Sequence, residues 1–227
     1  MSSDPLREAQ ILRCWNSNAG AWTNAVRQGE IASRRHATDQ AIVTAILDHS
    51  PGRLLDIGCG EGWLARELVK HSIEVIGIDA TAALIEAARQ AGGADFRLLD
   101  YAQIAAGALD LKVDMAVANF SLLGHESVEK LFGNMPALLN AEGLFIVQTL
   151  HPLRVDAETT YRDGWRSGSW QGFSSAFTDP SDWYFRTLQS WTQLFIGNGF
   201  RLIELREPLD PRSQQPASLI LIGQSAA

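Results

Sequence analysis

The spacing of apolar residues changes several times along the chain, and each change predicts an element. Residues 4–50 read as helical. Asp4-Pro5 supplies a capping side chain followed by a first-turn proline. Thr38 stands where it would cap a helix over 39–47, in which Ala41, Ile42, Ala45 and Ile46 recur at helical spacing. Ser50-Pro51-Gly52 stops it. The middle of the chain then alternates. Strands are predicted at 53–57, 74–79, 95–99, 113–119 and 144–150, with helices at 63–70, 81–90 and 127–139. Pro136 is expected to kink or break the last of these helices. Such alternation predicts a doubly wound α/β fold, a seven-stranded sheet that is mostly parallel with helices on both faces. Its ligand crevice belongs at the carboxyl ends of the strands. The chain closes with a helix at 188–196 and strands at 200–205 and 218–222. Pro208, Pro211 and Pro216 leave no crossover helix between those two strands. They should therefore pair antiparallel, making the last strand the antiparallel one.

Residues 151–186 break the rhythm. They hold Gly164, Gly168, Gly172 and Pro180 and show no period. Trp165, Trp170, Trp183 and Trp191 cluster there and just beyond. A long aromatic loop at the ligand end of a sheet suggests a cap over a substrate. Packing of an aromatic mini-core is the plainer alternative. The expected organisation is one domain over 1–227. It comprises an N-terminal helical cap (1–50), a core (51–150), a cap insertion (151–190) and a final helix with a strand hairpin (191–227).

Composition narrows the function. The 227 residues are 46% hydrophobic and 20% charged, which is ordinary for a globular domain. Cys14 and Cys59, the two cysteines, exclude a disulfide scaffold and a cysteine-rich zinc site. A net charge of -7 gives no general attraction for nucleic acid or anionic lipid. The opening MSSDPLREAQ has no apolar core of a leader, and no apolar run reaches the roughly 18 residues of a membrane helix. A cytoplasmic chain is expected. No spacing suits a metal, a Walker loop or a serine nucleophile elbow.

The most informative string is Leu54-Leu55-Asp56-Ile57-Gly58-Cys59-Gly60-Glu61-Gly62. Glycines after a first strand allow a tight turn and close approach of a ligand to backbone. A dinucleotide fingerprint counted from Gly58 would need glycine where Trp63 stands. Asp56 would also repel a pyrophosphate, whereas it suits a cationic ligand without phosphate. Residues 56–62 match every fixed place of D-x-G-C-G-x-G, and here the chain resembles the class I methyltransferases that use S-adenosylmethionine. The resemblance is to their small-molecule members, the type 11/12 group. It is strong from Leu54 to about His151. Gly199-Phe200-Arg201-Leu202-Ile203 is similar to the strand that opens their final hairpin.

The polar strand ends add weight. Asp79, Asp100 and Asn119 follow Asp56 at successive intervals near the roughly 20 residues that separate a glycine loop from a ribose-binding acid. Each of the three could instead cap a helix or turn. The resemblance implies that Gly58, Cys59 and Gly60 lie under the cofactor, with Asp79 and Ala80 at its ribose. It further implies that Asp100 accepts from the adenine amino group beside Tyr101, and that Asn119 lines the methionine part. Trp15-Asn16-x-x-Ala19-x-x-Trp22 is similar to an aromatic-Asp-x-x-Ala-x-x-Tyr opening in that group, with asparagine and tryptophan substituted here. It places Trp22 at the cofactor, with core packing as the alternative. Arg34 is a candidate for the cofactor's carboxylate, or part of a solvated helix face.

His151 is the candidate general base. It follows the fifth strand, and Pro152 keeps it out of a helix. Histidine is the side chain whose ordinary titration falls nearest neutrality. A histidine that merely holds the loop is the competing reading. His125 is second choice, and His36, His49 and His71 are expected at the surface. The expected reaction moves a methyl group from S-adenosylmethionine to a small-molecule acceptor, at oxygen or nitrogen, giving S-adenosylhomocysteine. A non-catalytic cofactor-binding domain is the alternative; a nicotinamide oxidoreductase is disfavoured by Trp63 and Asp56.

Overall fold

Seven strands form one sheet in the computed structural model, which describes residues 4–154 and 160–226. They are β1 (Arg53–Ile57), β2 (Glu74–Asp79), β3 (Asp95–Leu98), β4 (Val113–Asn119), β5 (Leu139–Thr149), β8 (Phe200–Arg206) and β9 (Leu219–Ser225). Between β5 and β8 lie β6 (Gly164–Arg166) and β7 (Trp183–Phe185), which pair antiparallel as a separate ribbon. The sheet order is β3-β2-β1-β4-β5-β9-β8. The first five strands run parallel, and β9 is antiparallel to both of its neighbours. The order reverses at β1 and β4, and at such a switch point the loops diverge and open a crevice.

Both faces of the sheet are buried, as a parallel sheet requires. Leu55, Ile57, Ile76, Ile78, Phe145 and Val147 point to one side. There they meet Phe132 of α6 (Glu126–Leu138) and Phe195 of α7 (Leu188–Gly197). Leu54, Val75, Met115, Val117 and Ile146 point to the other. They pack on α2 (Asp39–Leu47), α3 (Trp63–Val69) and α4 (Ala82–Ala91). Each large apolar side chain buried in this way contributes roughly 1.5–3 kcal/mol.

Four details differ from the sequence pattern. Thr38 makes no side-chain cap, because the chain is already helical when it arrives: a π-helical turn, Arg34–Thr38, runs straight into α2. Pro136 does not break α6; it sits so near the end that the helix finishes at Leu138 on its own. β5 starts at Leu139, five residues before its apolar run. A short α5 (Tyr101–Ala105) follows β3, started by a capping box in which Asp100 and Gln103 exchange hydrogen bonds.

α1 (Asp4–Arg27) lies across the carboxyl ends of the strands. It is tied down at several points. Glu8 Oε1 accepts from the backbone N–H groups of His125 and Ser127. The buried Asn18 amide exchanges two hydrogen bonds of 2.8 Å with the backbone of Thr178. Arg27 reaches Glu61 in the glycine loop. The segment 151–186 thus packs onto α1, through Trp15–Trp170 and Trp22–Phe173 ring contacts as well. Its residues 155–159 lie outside the described residues.

Candidate active site

The glycine loop is held from below. Gly58 and Cys59 both donate to the carbonyl of Ile78 at the end of β2. Gly58 has φ +72, and a Cβ there would come within 2.3 Å of Ser121 Cβ, so only glycine fits. At Gly60, with φ +58, the nearest atom to an added Cβ would be Trp22 Nε1 at 3.6 Å. Glu61 turns inward between Arg27 and Arg66, with carboxylate distances of 2.9 and 2.6 Å. The loop is fixed before any ligand arrives. Cys59 is buried, and burial pushes its thiol well above the ordinary range. A thiol held protonated in this way is a poor nucleophile.

Asp56 stands at the end of β1, beneath the loop, and lines neither cavity described below. It is 2% exposed, and Oδ2 has no hydrogen-bond partner. Burial, reinforced by the nearby Asp79 charge, raises its pKa to about 7. Asp56, expected to suit a cationic ligand, thus lies behind the loop and outside the lining of both cavities. Asp79 is the acid at the surface. Its Oδ2 accepts from Gly60 N at 3.0 Å and its Oδ1 from Thr81 N at 2.7 Å. Burial raises its pKa in spite of those bonds.

Two adjoining cavities open above the loop. The first, about 240 Å³, is lined by Asp79, Ala80, Asp100, Tyr101 and Ser121, with Glu8 of α1 overhead. Asp100 therefore does both things the sequence allowed: it caps α5 and faces the cavity. Tyr101 donates its hydroxyl to the carbonyl of Ser121, and burial raises its pKa. The second cavity, about 250 Å³, is lined by Arg34, Cys59, Trp63, Tyr184, Arg186 and Trp191, among others. Trp22, Gly58, Gly60 and Asn119 face both. Asn119 Oδ1 is buried without a partner. Arg34 lies 4.6 Å from the Trp63 ring centroid and 5.9 Å from that of Trp22, and its Nε donates to Asp39.

The structure does not bring His151 to this site. It is 5% exposed and absent from the lining of both cavities. Nε2 lies 2.7 Å from Glu207 Oε1, and Nδ1 accepts from Leu153 N. Both ring nitrogens hold the loop after β5, which was the competing reading. His125 is likewise engaged, by Asp4, Glu129 and a stack on Tyr184 at 4.0 Å. Conversely, sequence reasoning missed Glu8, Phe120, Tyr184 and Arg186. No spacing marks them; a lone arginine within Trp183-Tyr184-Phe185-Arg186 becomes notable only when the ribbon folds back over the sheet. Among the described residues no cluster of His, Cys, Asp and Glu suits a metal, and no helix is long and apolar enough to cross a membrane.

The fold is that of S-adenosylmethionine-dependent methyltransferases. One solved neighbour is the 1,6-didemethyltoxoflavin-N1-methyltransferase of Burkholderia thailandensis, with bound 1,6-didemethyltoxoflavin and S-adenosylhomocysteine. It superposes with a TM-score of 0.69 at 16% identity, over 100% of this chain and 92% of that one. A family model for the methyltransferase domain matches residues 31–205, and the chain belongs to that family. Curated relatives include the malonyl-[acyl-carrier protein] O-methyltransferase of Legionella pneumophila. It is 25% identical over 185 residues, 76% of this chain and 60% of that protein. The ubiquinone biosynthesis O-methyltransferase of Rhodopseudomonas palustris is 33% identical over 101 residues, 44% of this chain and 40% of that protein. The chain thus spans about half the length of the curated relatives it matches.

Proposed function

We propose that the protein transfers a methyl group from S-adenosylmethionine to a small-molecule acceptor, at oxygen or nitrogen, as a single cytoplasmic methyltransferase domain. The observation that carries this reading is the row of polar strand ends, Asp79, Asp100 and Asn119, around a glycine loop that opens into two cavities. S-adenosylmethionine, when bound, supplies a methyl group activated by its sulfonium and leaves as S-adenosylhomocysteine.

The residues fit that ligand. Asp79 keeps lone pairs for the ribose hydroxyls beyond its two backbone bonds. Asp100 has one oxygen engaged as a cap and another for the adenine amino group, with Tyr101 and Ala80 framing the ring system. Gly58, Cys59 and Gly60 give the methionine part a floor without side-chain obstruction. The unpartnered oxygens of Asp56 and Asn119 suit a ligand bearing an ammonium and a sulfonium. Arg34, held between Trp22 and Trp63, suits the carboxylate. The segment 151–190 serves as the cap over the acceptor, its aromatic rings excluding water while the acceptor is held in line.

Incubation with methyl-labelled S-adenosylmethionine and a small-molecule cell extract, read by mass spectrometry, tests this. Labelled products absent from an Asp79→Ala control are expected. Cofactor binding without any transfer would instead favour a non-catalytic binding domain, and absence of binding would overturn the reading.

A further inference from the structure

The second cavity has a charge that the chain as a whole does not. Its lining contains Arg34 and Arg186 and, among the described residues, no Asp, Glu, His or Lys. Arg34 has a counter-ion in Asp39. Arg186 has no carboxylate within 4 Å among the described residues, although it is 4% exposed. Burial lowers its pKa to about 10, which leaves it a cation at neutral pH.

The carboxylates whose field reaches Arg186 are Glu129, Asp163 and Glu8. Each has another task. Asp163 accepts from Thr187 N and from the Ser190 hydroxyl. Glu8 accepts from the N–H groups that open α6. Glu129 lies 3.3 Å from His125 Nε2. Arg186 itself donates to the carbonyls of Gly124 and His125 at 2.9 and 3.0 Å, between the rings of Tyr184 and Trp191. A guanidinium has five N–H donors, so these two bonds leave donors over. A buried cation with donors over and no paired anion, on the wall of a cavity, is a seat for a ligand's negative charge.

Among the described residues, the lining of this cavity has no carboxylate or histidine to accept a proton. His151 and His125 lie outside its lining. Tyr184 is held protonated by a pKa raised through burial. An acceptor methylated here must arrive with its lone pair already free. An alcohol that must shed its proton as it attacks does not meet that condition; a neutral amine meets it but offers Arg186 no charge to pair, whereas a carboxylate meets it and carries the anion that Arg186 can hold.

Resting on the methyltransferase reading, we infer that the acceptor is a carboxylic acid, seated on Arg186 with its apolar body among the aromatic rings, and that the product is its methyl ester. A lone pair of the carboxylate oxygen forms the new O–CH3 bond as the S–CH3 bond breaks and its electron pair stays on sulfur. A carboxylate and a sulfonium become a neutral ester and a neutral thioether, and no proton is released. Loss of both charges in one step is favoured where aromatic walls exclude water.

Two measurements test this, the first with variants of Arg186 beside the unaltered protein. In the first, 2-naphthoate and 2-naphthamide are titrated against the protein saturated with S-adenosylhomocysteine, followed by tryptophan fluorescence. The acid should bind about tenfold more tightly or better, as a charge-assisted pair predicts. Arg186→Met should abolish the preference, and Arg186→Lys should retain part of it. Equal binding of acid and amide, or of neither, overturns the proposal. In the second, the products labelled in the cell extract are treated with mild alkali. Esters release the label as volatile methanol, which is the expected result; label that stays on the product overturns the proposal while leaving the methyltransferase reading intact. Failure of that underlying reading would show separately, as no heat of binding with S-adenosylhomocysteine.

Discussion

The two cavities meet at Gly58, Gly60 and Asn119, yet their charged walls are opposite. The first is bordered by Glu8, Asp79 and Asp100; the second by Arg34 and Arg186. The first is built where the sheet is most regular, from residues at the ends of β2 and β3. The second is built largely from the π-helical turn before α2, strand β7 with Arg186 after it, and Trp191 of α7. Net charge says nothing about this division, because a field inside a low-dielectric cleft is set by the few groups that line it. The difference teaches how the ligand's groups divide by charge in the proposed function, with hydroxyl and amino donors matched to the first cavity and anionic groups to the second.

The largest way to break that contrast is Asp79→Ala. It removes the proposed acceptor for the ribose and also the anchor of Gly60 N, and should weaken S-adenosylmethionine binding roughly 100-fold, since charged hydrogen bonds are worth about 1.5–3 kcal/mol each. Isothermal titration reads this directly; unchanged affinity would move the ribose elsewhere.

Arg34→Met should come next, with a loss of about tenfold for S-adenosylmethionine. Binding of 5′-methylthioadenosine, which has no amino-acid part, should stay as it was. A parallel loss for both ligands would mean that Arg34 only shapes the wall.

Asp56→Asn sharpens the contrast through pH. The folded pKa of about 7 lies above the ordinary 3.8, so the folded chain retains a proton that the unfolded chain has released. Stability should therefore fall as pH rises between about 4 and 7 and remain reduced above that window. Asp56→Asn should flatten the slope and stabilise the chain at pH 8 by up to a few kcal/mol, read as a higher urea midpoint. In the unaltered protein the cationic ligand favours ionised Asp56, so its binding should tighten from pH 6 to pH 8. Equal slopes in the two proteins would assign the pH dependence to another group.

The smallest effect is expected from His151→Gln. The ring is bonded to Glu207, which is half exposed, so stability should change by about 1 kcal/mol or less. Turnover should change less than about twofold. A large loss of turnover with an unchanged melting temperature would return His151 to the chemistry.

The regular half of the site was legible in advance. The string from Leu54 to Gly62 marks a strand running into a turn that side chains would obstruct, and the close approach of Gly58 to Ser121 supplies the reason. Asp79 and Asp100 were legible because each ends an apolar run at the spacing of one strand-helix unit. Asp56 was read as a contact residue because its position in the motif is visible and its depth is not. His151 was misplaced because a strand end marks an edge of the sheet without saying which way the next loop turns its side chains.

The order of elements, the glycine loop and the strand-end acids were determined by the sequence itself, because period, chain direction and backbone freedom are local properties. The tertiary structure decided that Asp56 is buried beneath the loop, that both candidate histidines are tied to other side chains, and that Arg186 faces a cavity. The last of these depends on residues 160–186 folding back over α1 and the sheet. That segment has no period to read, and its place is set by contacts with residues more than a hundred positions away, such as that of Thr178 with Asn18.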